Sequence, residues 1–190
     1  MLKNIIHFIF ELGHQRHTPR SGWQYLRIKD LQNDAEHSAR VAQIAYILAI
    51  LEGHDDPCRV ATIGLFHEIS EIRTNDPNAI SKQYVVSDED RAVKDQTADI
   101  GEAGSGILAM WRECEEHKTH AGKIAKDADR LEMMFTAKEY MEAGYPDAID
   151  WFKSAIALLE TKTAKELAEE LSGISSNEWW RKLQYRKIQK

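Results

Sequence analysis

Apolar residues along this chain recur at three- and four-residue intervals rather than in alternation, a pattern that predicts helices and no strands. From His37, the positions Val41, Ile44, Ala45, Leu48 and Leu51 form one helical face, with Asp34 as its N-cap and Gly53 as its stop. A second helix is predicted from just after Pro57, with Val60, Ile63, Gly64, His67 and Glu71 along one side. Residues 87–116 read as a longer, more polar helical stretch, broken around Gly101, Gly104 and Gly106. The segment 120–143 is strongly helical through Ile124, Ala128, Leu131 and Phe135 and stops at Gly144. Two more helices fit residues 147–171 and 176–188, and residues 1–12 form an N-terminal helix lying on the core. The four prolines, at 19, 57, 77 and 146, each fall where a helical pattern breaks. No internal repeat or low-complexity tract interrupts this reading. The expectation is one compact all-α bundle over residues 1–190, its core at roughly 30–145 and the terminal helices packed upon it.

Two turn-rich loops stand apart from the helices. One is Thr-Pro-Arg-Ser-Gly-Trp (18–23), which brings Arg20 and Trp23 close together; the other is Thr-Asn-Asp-Pro-Asn (74–78). Loops beside helix ends are common places for binding groups.

Composition narrows the function classes. The chain has 190 residues, 43% hydrophobic and 29% charged, as expected of a globular protein rather than a disordered one. Its formal net charge of -6 argues against a nucleic-acid polymer or an anionic membrane as partner, because both need basic surface. A phosphate-bearing substrate would need a metal or a few local cations to overcome that field. Cys58 and Cys114 are too few and too far apart for a disulfide framework, so a reduced cytoplasmic setting is expected. The apolar run at residues 1–12 has Lys3 as its only basic residue, no small-residue cleavage site follows it, and no stretch approaches the roughly 20 residues needed to span a bilayer.

Three separate helices each place ionisable groups on or beside an apolar face. His37 starts the first face; His67 and Glu68 are about 100° apart around a helix and can reach one point; Asp129 lies in mid-helix. Glu71, four residues after His67, shares its face. Taken singly, each has a bland reading as a packed histidine or a solvated carboxylate. Together, two imidazoles and two carboxylates suit one divalent ion, Mn²⁺, Co²⁺, Fe²⁺ or Zn²⁺, without choosing sharply among them.

The order and spacing of three motifs resemble the HD superfamily: Glu-His-Ser (36–38), then Leu-Phe-His-Glu-Ile-Ser-Glu (65–71) with Asp76, then Lys-Asp-Ala-Asp-Arg-Leu-Glu (126–132). Within it, the 5′-deoxynucleotidase branch fits best, through Pro-Arg-Ser-Gly-Trp (19–23), Glu-Ile-Arg-Thr-Asn-Asp (71–76) and Met-Trp-Arg-Glu-Cys-Glu-Glu-His-Lys-Thr (110–119). The resemblance covers roughly residues 1–170. It implies a helical fold, a homodimer, and hydrolysis of nucleoside 5′-monophosphates with deoxy sugars preferred. It also implies that His37, His67, Glu68 and Asp129 bind the metal and that Glu71 handles water or the leaving O5′ as an acid/base group. Asp76, implied with Glu71 as a catalytic residue, would also face the sugar, and Arg20 and Trp23 would border phosphate and sugar. The defining His-Asp pair is His-Glu here, at 67–68, which moves the carboxylate outward by roughly 1.5 Å. Two other classes fit the same residues. One is an HD hydrolase acting on a triphosphate or signalling nucleotide; the other is a non-catalytic module that binds a nucleotide or partner through a degenerate site. The adjacent Trp179 and Trp180 read as core or subunit-contact residues.

Overall fold

The helix that carries His37, α2 (Asp34–Leu51), is started by Asn33 and not by Asp34. In the computed structural model, which describes residues 1–186, the Asn33 side chain accepts from the Glu36 amide at 3.0 Å, and the Glu36 carboxylate accepts from the Asn33 amide at 3.2 Å. That reciprocal capping box satisfies two amides that would otherwise lack partners, and it leaves Asp34 as the first helical residue, turned inward.

Helices and short 3-10 turns make up the rest, and no strand forms among the described residues. They are α1 (Leu2–Leu12), α2, α3 (Pro57–Phe66), α4 (Glu71–Thr74), α5 (Glu89–Thr97), α6 (Glu102–Glu116), α7 (His120–Glu142), α8 (Ile149–Ile156), α9 (Lys162–Gly173) and α10 (Glu178–Arg186). Of the stretch 176–188, residues 187 and 188 lie outside the described residues. Helix α2 packs chiefly against α3 and α7, and α7 continues against α8. The apolar faces predicted for α2, α3 and α7 meet here: Val41, Ala45, Leu48, Val60, Ile63, Ile124, Ala128 and Leu131 are all fully buried. Trp23 and the later residues Phe152, Leu159 and Leu171 belong to the same core. A second, smaller cluster joins Phe8 of α1 to Ile69, Val93, Ile107 and Trp111.

Three boundaries differ from the periodicity, each for a local reason. The helix after Pro57 ends at Phe66, because the bonds tighten to i→i−3 (Ile69 N–Phe66 O, Glu71 N–Glu68 O) and the Gln96 amide takes the Ile69 carbonyl at 2.9 Å. The segment 147–171 is two helices, because the buried Asp127 carboxylate of α7 accepts from the amides of Glu160 and Thr161 at the break. Between α5 and α6 only Gly101 forms the break, at a φ of +66° that favours glycine.

Gly104 lies inside α6, where a Cβ would fall 2.0 Å from the Thr97 carbonyl oxygen. Since a backbone oxygen cannot swing aside, Gly104→Ala is expected to cost about 3 kcal/mol, measurable as a lowered urea midpoint. The Trp-Trp pair is not core: Trp179 is 69% exposed, although its ring borders a groove with Phe135 and Leu171. No helix among the described residues is long and apolar enough to cross a membrane.

Candidate metal and substrate site

The four side chains named from the sequence as metal ligands come from three different segments and converge. His37 is on α2, His67 and Glu68 follow the end of α3, and Asp129 is at the middle of α7. Their donor atoms all lie within 4.8 Å of one another. His37 Nε2 is 3.3 Å from His67 Nε2, 3.1 Å from an Asp129 oxygen and 3.7 Å from Glu68 Oε1. The additional methylene of Glu68 does not carry its carboxylate away, since Oε1 lies 3.3 Å from His67 Nε2.

What orients the two rings is their other nitrogen. His37 Nδ1 meets Glu132 Oε2 at 2.5 Å, and His67 Nδ1 meets the Gly64 carbonyl at 2.7 Å. With both Nδ1 atoms committed, both Nε2 atoms face one point shared with two carboxylate oxygens. This is how imidazoles are presented to a cation, and the donor set fits one divalent ion. The electrostatics agree. Burial works against charge on both rings, as does Arg20 at His37; Glu132 and Asp129 nevertheless raise His37, and Glu68 and Asp129 push His67 up to about 10. Burial would also raise the carboxyls, yet Arg20 and His67 hold Glu68, and Lys126 and the two histidines hold Asp129, well below the usual range. Carboxylates held ionised around two imidazoles form a cluster that favours positive charge, the condition under which a divalent ion could bind.

Beside the four ligands lies a second group of carboxylates: Asp34, Glu71 and Asp76. Arg20 sits among them. Its Nη1 donates to Glu68 at 2.8 Å and to Glu71 at 3.3 Å, and lies 3.8 Å from Asp34, while its Nε is 3.9 Å from Asp76. The loop that carries Arg20 is held to the start of α2 by Arg20 N–Gln32 O and Asp34 N–Thr18 O bonds. It is held to the other loop by the Ser21 amide, which donates to Asp76 at 2.7 Å. Burial, then the charge of Glu68, push the Glu71 carboxyl far up against the opposing pull of Arg20. The same two causes bring Asp34 to about 7, and neither of its carboxyl oxygens has a hydrogen-bond partner.

A cavity of about 270 Å³ reaches this centre at His37, and its lining includes Arg20, Asp76 and Lys82 together with Trp23, Met133 and Trp151. Trp23 is almost fully buried, with its ring centroid 5.1 Å from Tyr140 and 5.3 Å from Trp151.

Residues 12–172 match the HD-domain family model. The chain belongs to the HD-domain family. This HD-domain protein is 34% identical over 177 residues to a 5′-deoxynucleotidase of Photobacterium profundum, covering 85% of this chain and 88% of the relative. It is 27% identical over 157 residues to a 5′-deoxynucleotidase of Danio rerio, covering 80% and 77%. A crystal structure of a genomics target superposes with a TM-score of 0.80 at 32% identity, covering 94% of this chain and 99% of the other.

Three residues of the HD-domain centre gave no separate sign in the sequence. Glu132, fully buried, accepts from Arg40 Nε at 2.8 Å, from Gln32 at 2.6 Å and from Thr136 at 2.9 Å while it holds His37. Lys126 lies 3.4 Å from Asp129 and offsets its charge. Asp34 read as a cap. The i, i+3 spacing of Asp129 and Glu132 on one helix could have suggested that both serve one site.

Proposed function

We propose that this HD-domain protein removes the 5′-phosphate from nucleoside monophosphates, deoxy sugars preferred, with one divalent ion held by His37, His67, Glu68 and Asp129. The observation that carries the reading is the cavity itself: its lining joins His37 of the ligand cluster and the Arg20 guanidinium to the apolar and aromatic side chains of Met133, Trp23 and Trp151, which suits a phosphate joined to a nucleoside. The 5′-deoxynucleotidase names of its relatives support the same substrate class.

When bound, a divalent ion supplies Lewis acidity, neutralising phosphoryl charge and acidifying water. The chain's own residues do the rest. Arg20 pairs with phosphate oxygens in exchange for its present carboxylate partners. Water forms the new oxygen–phosphorus bond as the bond to O5′ breaks, the departing O5′ takes its proton from the Glu71 carboxyl, and the proton released by the attacking water leaves on the phosphate or to solvent, from which Glu71 is reprotonated. Asp76 faces the sugar and fixes the Arg20 loop through Ser21. Trp23 walls the sugar end by holding its neighbours in place. The ion is Mn²⁺, Co²⁺, Fe²⁺ or Zn²⁺, as the mixed nitrogen and oxygen donors suggest. We place the enzyme in the cytoplasm as a homodimer, for which the exposed apolar residues Ile6, Ile9 and Phe10 of α1 offer a surface.

The test is phosphate release from a panel of ribo- and deoxynucleoside 5′-monophosphates with Mn²⁺, Co²⁺, Mg²⁺ and Zn²⁺. Chelator treatment followed by desalting is expected to bring release to background, and adding back a single ion to restore it. Inactivity across the panel with metal bound would sink the nucleotidase reading and spare the metal centre.

A further inference from the structure

The cavity that His37 and Arg20 line is not the last hollow on this face. A second hollow of about 340 Å³ lies beyond it, with Tyr25, Ile80 and Asp150 in its lining. Gly22, Asn78, Ala79, Trp151 and Ser154 line both hollows, so they form one groove with the Trp151 indole at the passage. That indole is only partly buried, and it is braced. Its centroid lies 5.3 Å from that of Trp23 at a tilt of 36°, and its Nε1 lies over Gly22, where a Cβ would come within 3.1 Å. The loop opposite is fixed as well, since Asn78 accepts from the Tyr25 hydroxyl at 3.0 Å and donates to Ser21 at 3.1 Å.

We infer that Trp151 is the platform on which the nucleobase stacks, with the outer hollow between Tyr25 and Ile80 receiving the base. The inference rests on the nucleotidase reading and deepens it. With phosphate at the His37 end and sugar beside Asp76, the base is the next rigid unit along the groove, and an indole held rigid by two neighbours is the next wall. Stacking needs only a π face, so the contact accepts any base. The aromatic ring is pre-positioned, so little side-chain freedom is lost when it is covered.

The experiment compares dAMP with 2-deoxyribose 5-phosphate, which carries the same phosphate and sugar without a base. Affinities are measured by calorimetry on the metal-loaded Glu71→Gln protein, in which slow turnover is expected, and kcat/KM is measured on the otherwise unaltered enzyme. Trp151→Leu keeps an apolar filler but no π face; Trp151→Phe keeps a smaller one. The preference for dAMP is expected to fall about tenfold or more in Trp151→Leu. The change should appear in KM and Kd, leave 2-deoxyribose 5-phosphate within twofold, and be largely rescued in Trp151→Phe. Equal losses on both compounds in Trp151→Leu would mark Trp151 as packing alone and overturn the inference. If dAMP is hydrolysed but its preference does not move, the base subsite fails and the nucleotidase reading stands. If dAMP binds in a Trp151-dependent way without being hydrolysed, the subsite stands and that reading fails. Absence of dAMP binding overturns the inference outright.

Discussion

Glu71→Gln is expected to lower turnover of a deoxynucleoside 5′-monophosphate by about 10²- to 10⁴-fold, the range for losing a general acid. Glu71 is buried beside Glu68, and both burial and that charge raise its carboxyl, the direction that the proposed role of giving a proton to the departing O5′ requires. Glutamine has the same shape and can still accept from Arg20 through its oxygen, but it has no proton to give. Glu71 lies outside the four-residue ligand set, so metal content by mass spectrometry should be unchanged. The leaving group provides an internal control. Phosphate release from 4-nitrophenyl phosphate, whose phenolate departs without protonation, should fall far less than release from dAMP. Equal losses on both substrates would assign Glu71 to binding or positioning, and full turnover on dAMP would remove it from the chemistry.

That Glu71 could be singled out from sequence at all reflects which kinds of information spacing carries. The faces of α2 and α7 were largely legible because burial repeats every turn: Val41, Ala45, Leu48, Ile124, Ala128 and Leu131 are buried where the period places them, whereas Leu51, at the last turn of α2, is 56% exposed. The convergence of the four candidate ligands was legible because each belongs to a short local motif whose order along the chain is fixed. Interactions that depend on a distant partner were not. Asp127 ends α8's segment by accepting amides more than 30 residues away, and Gln96 terminates the helix before His67 from 27 residues away. Neither leaves a trace in the pattern of apolar positions. Asn33 and Asp34 are both good capping residues by type, and only the reciprocal bond with Glu36 decides between them. The burial of Trp23 likewise follows from Tyr140 and Trp151, which the chain brings back after more than a hundred residues.

Glu132 is the largest such omission, and it leads to the second expected result: Glu132→Gln should weaken metal binding by about 10- to 100-fold. In the wild type one carboxylate oxygen receives His37 Nδ1 while the other receives Arg40, Gln32 and Thr136. Every partner is a donor, so the group must be an acceptor at both ends. An amide has one acceptor and one donor end. If its oxygen faces Arg40, Gln32 and Thr136, its NH₂ faces His37 and favours the tautomer with the proton on Nε2, where a metal must bind. If its oxygen faces His37 instead, its NH₂ opposes three donors and the helix contact between α2 and α7 loosens. Either arrangement penalises the site, and the first leaves the fold nearly intact. Competition with a chromophoric chelator gives the affinity, and ¹⁵N shifts of the His37 ring report which nitrogen carries the proton. Wild-type affinity together with an Nδ1-protonated ring in Glu132→Gln would show that His37 is aimed by packing alone. Loss of affinity with an Nε2-protonated ring would show that a carboxylate from α7, in a motif read only for Asp129, determines how the first histidine meets its ion.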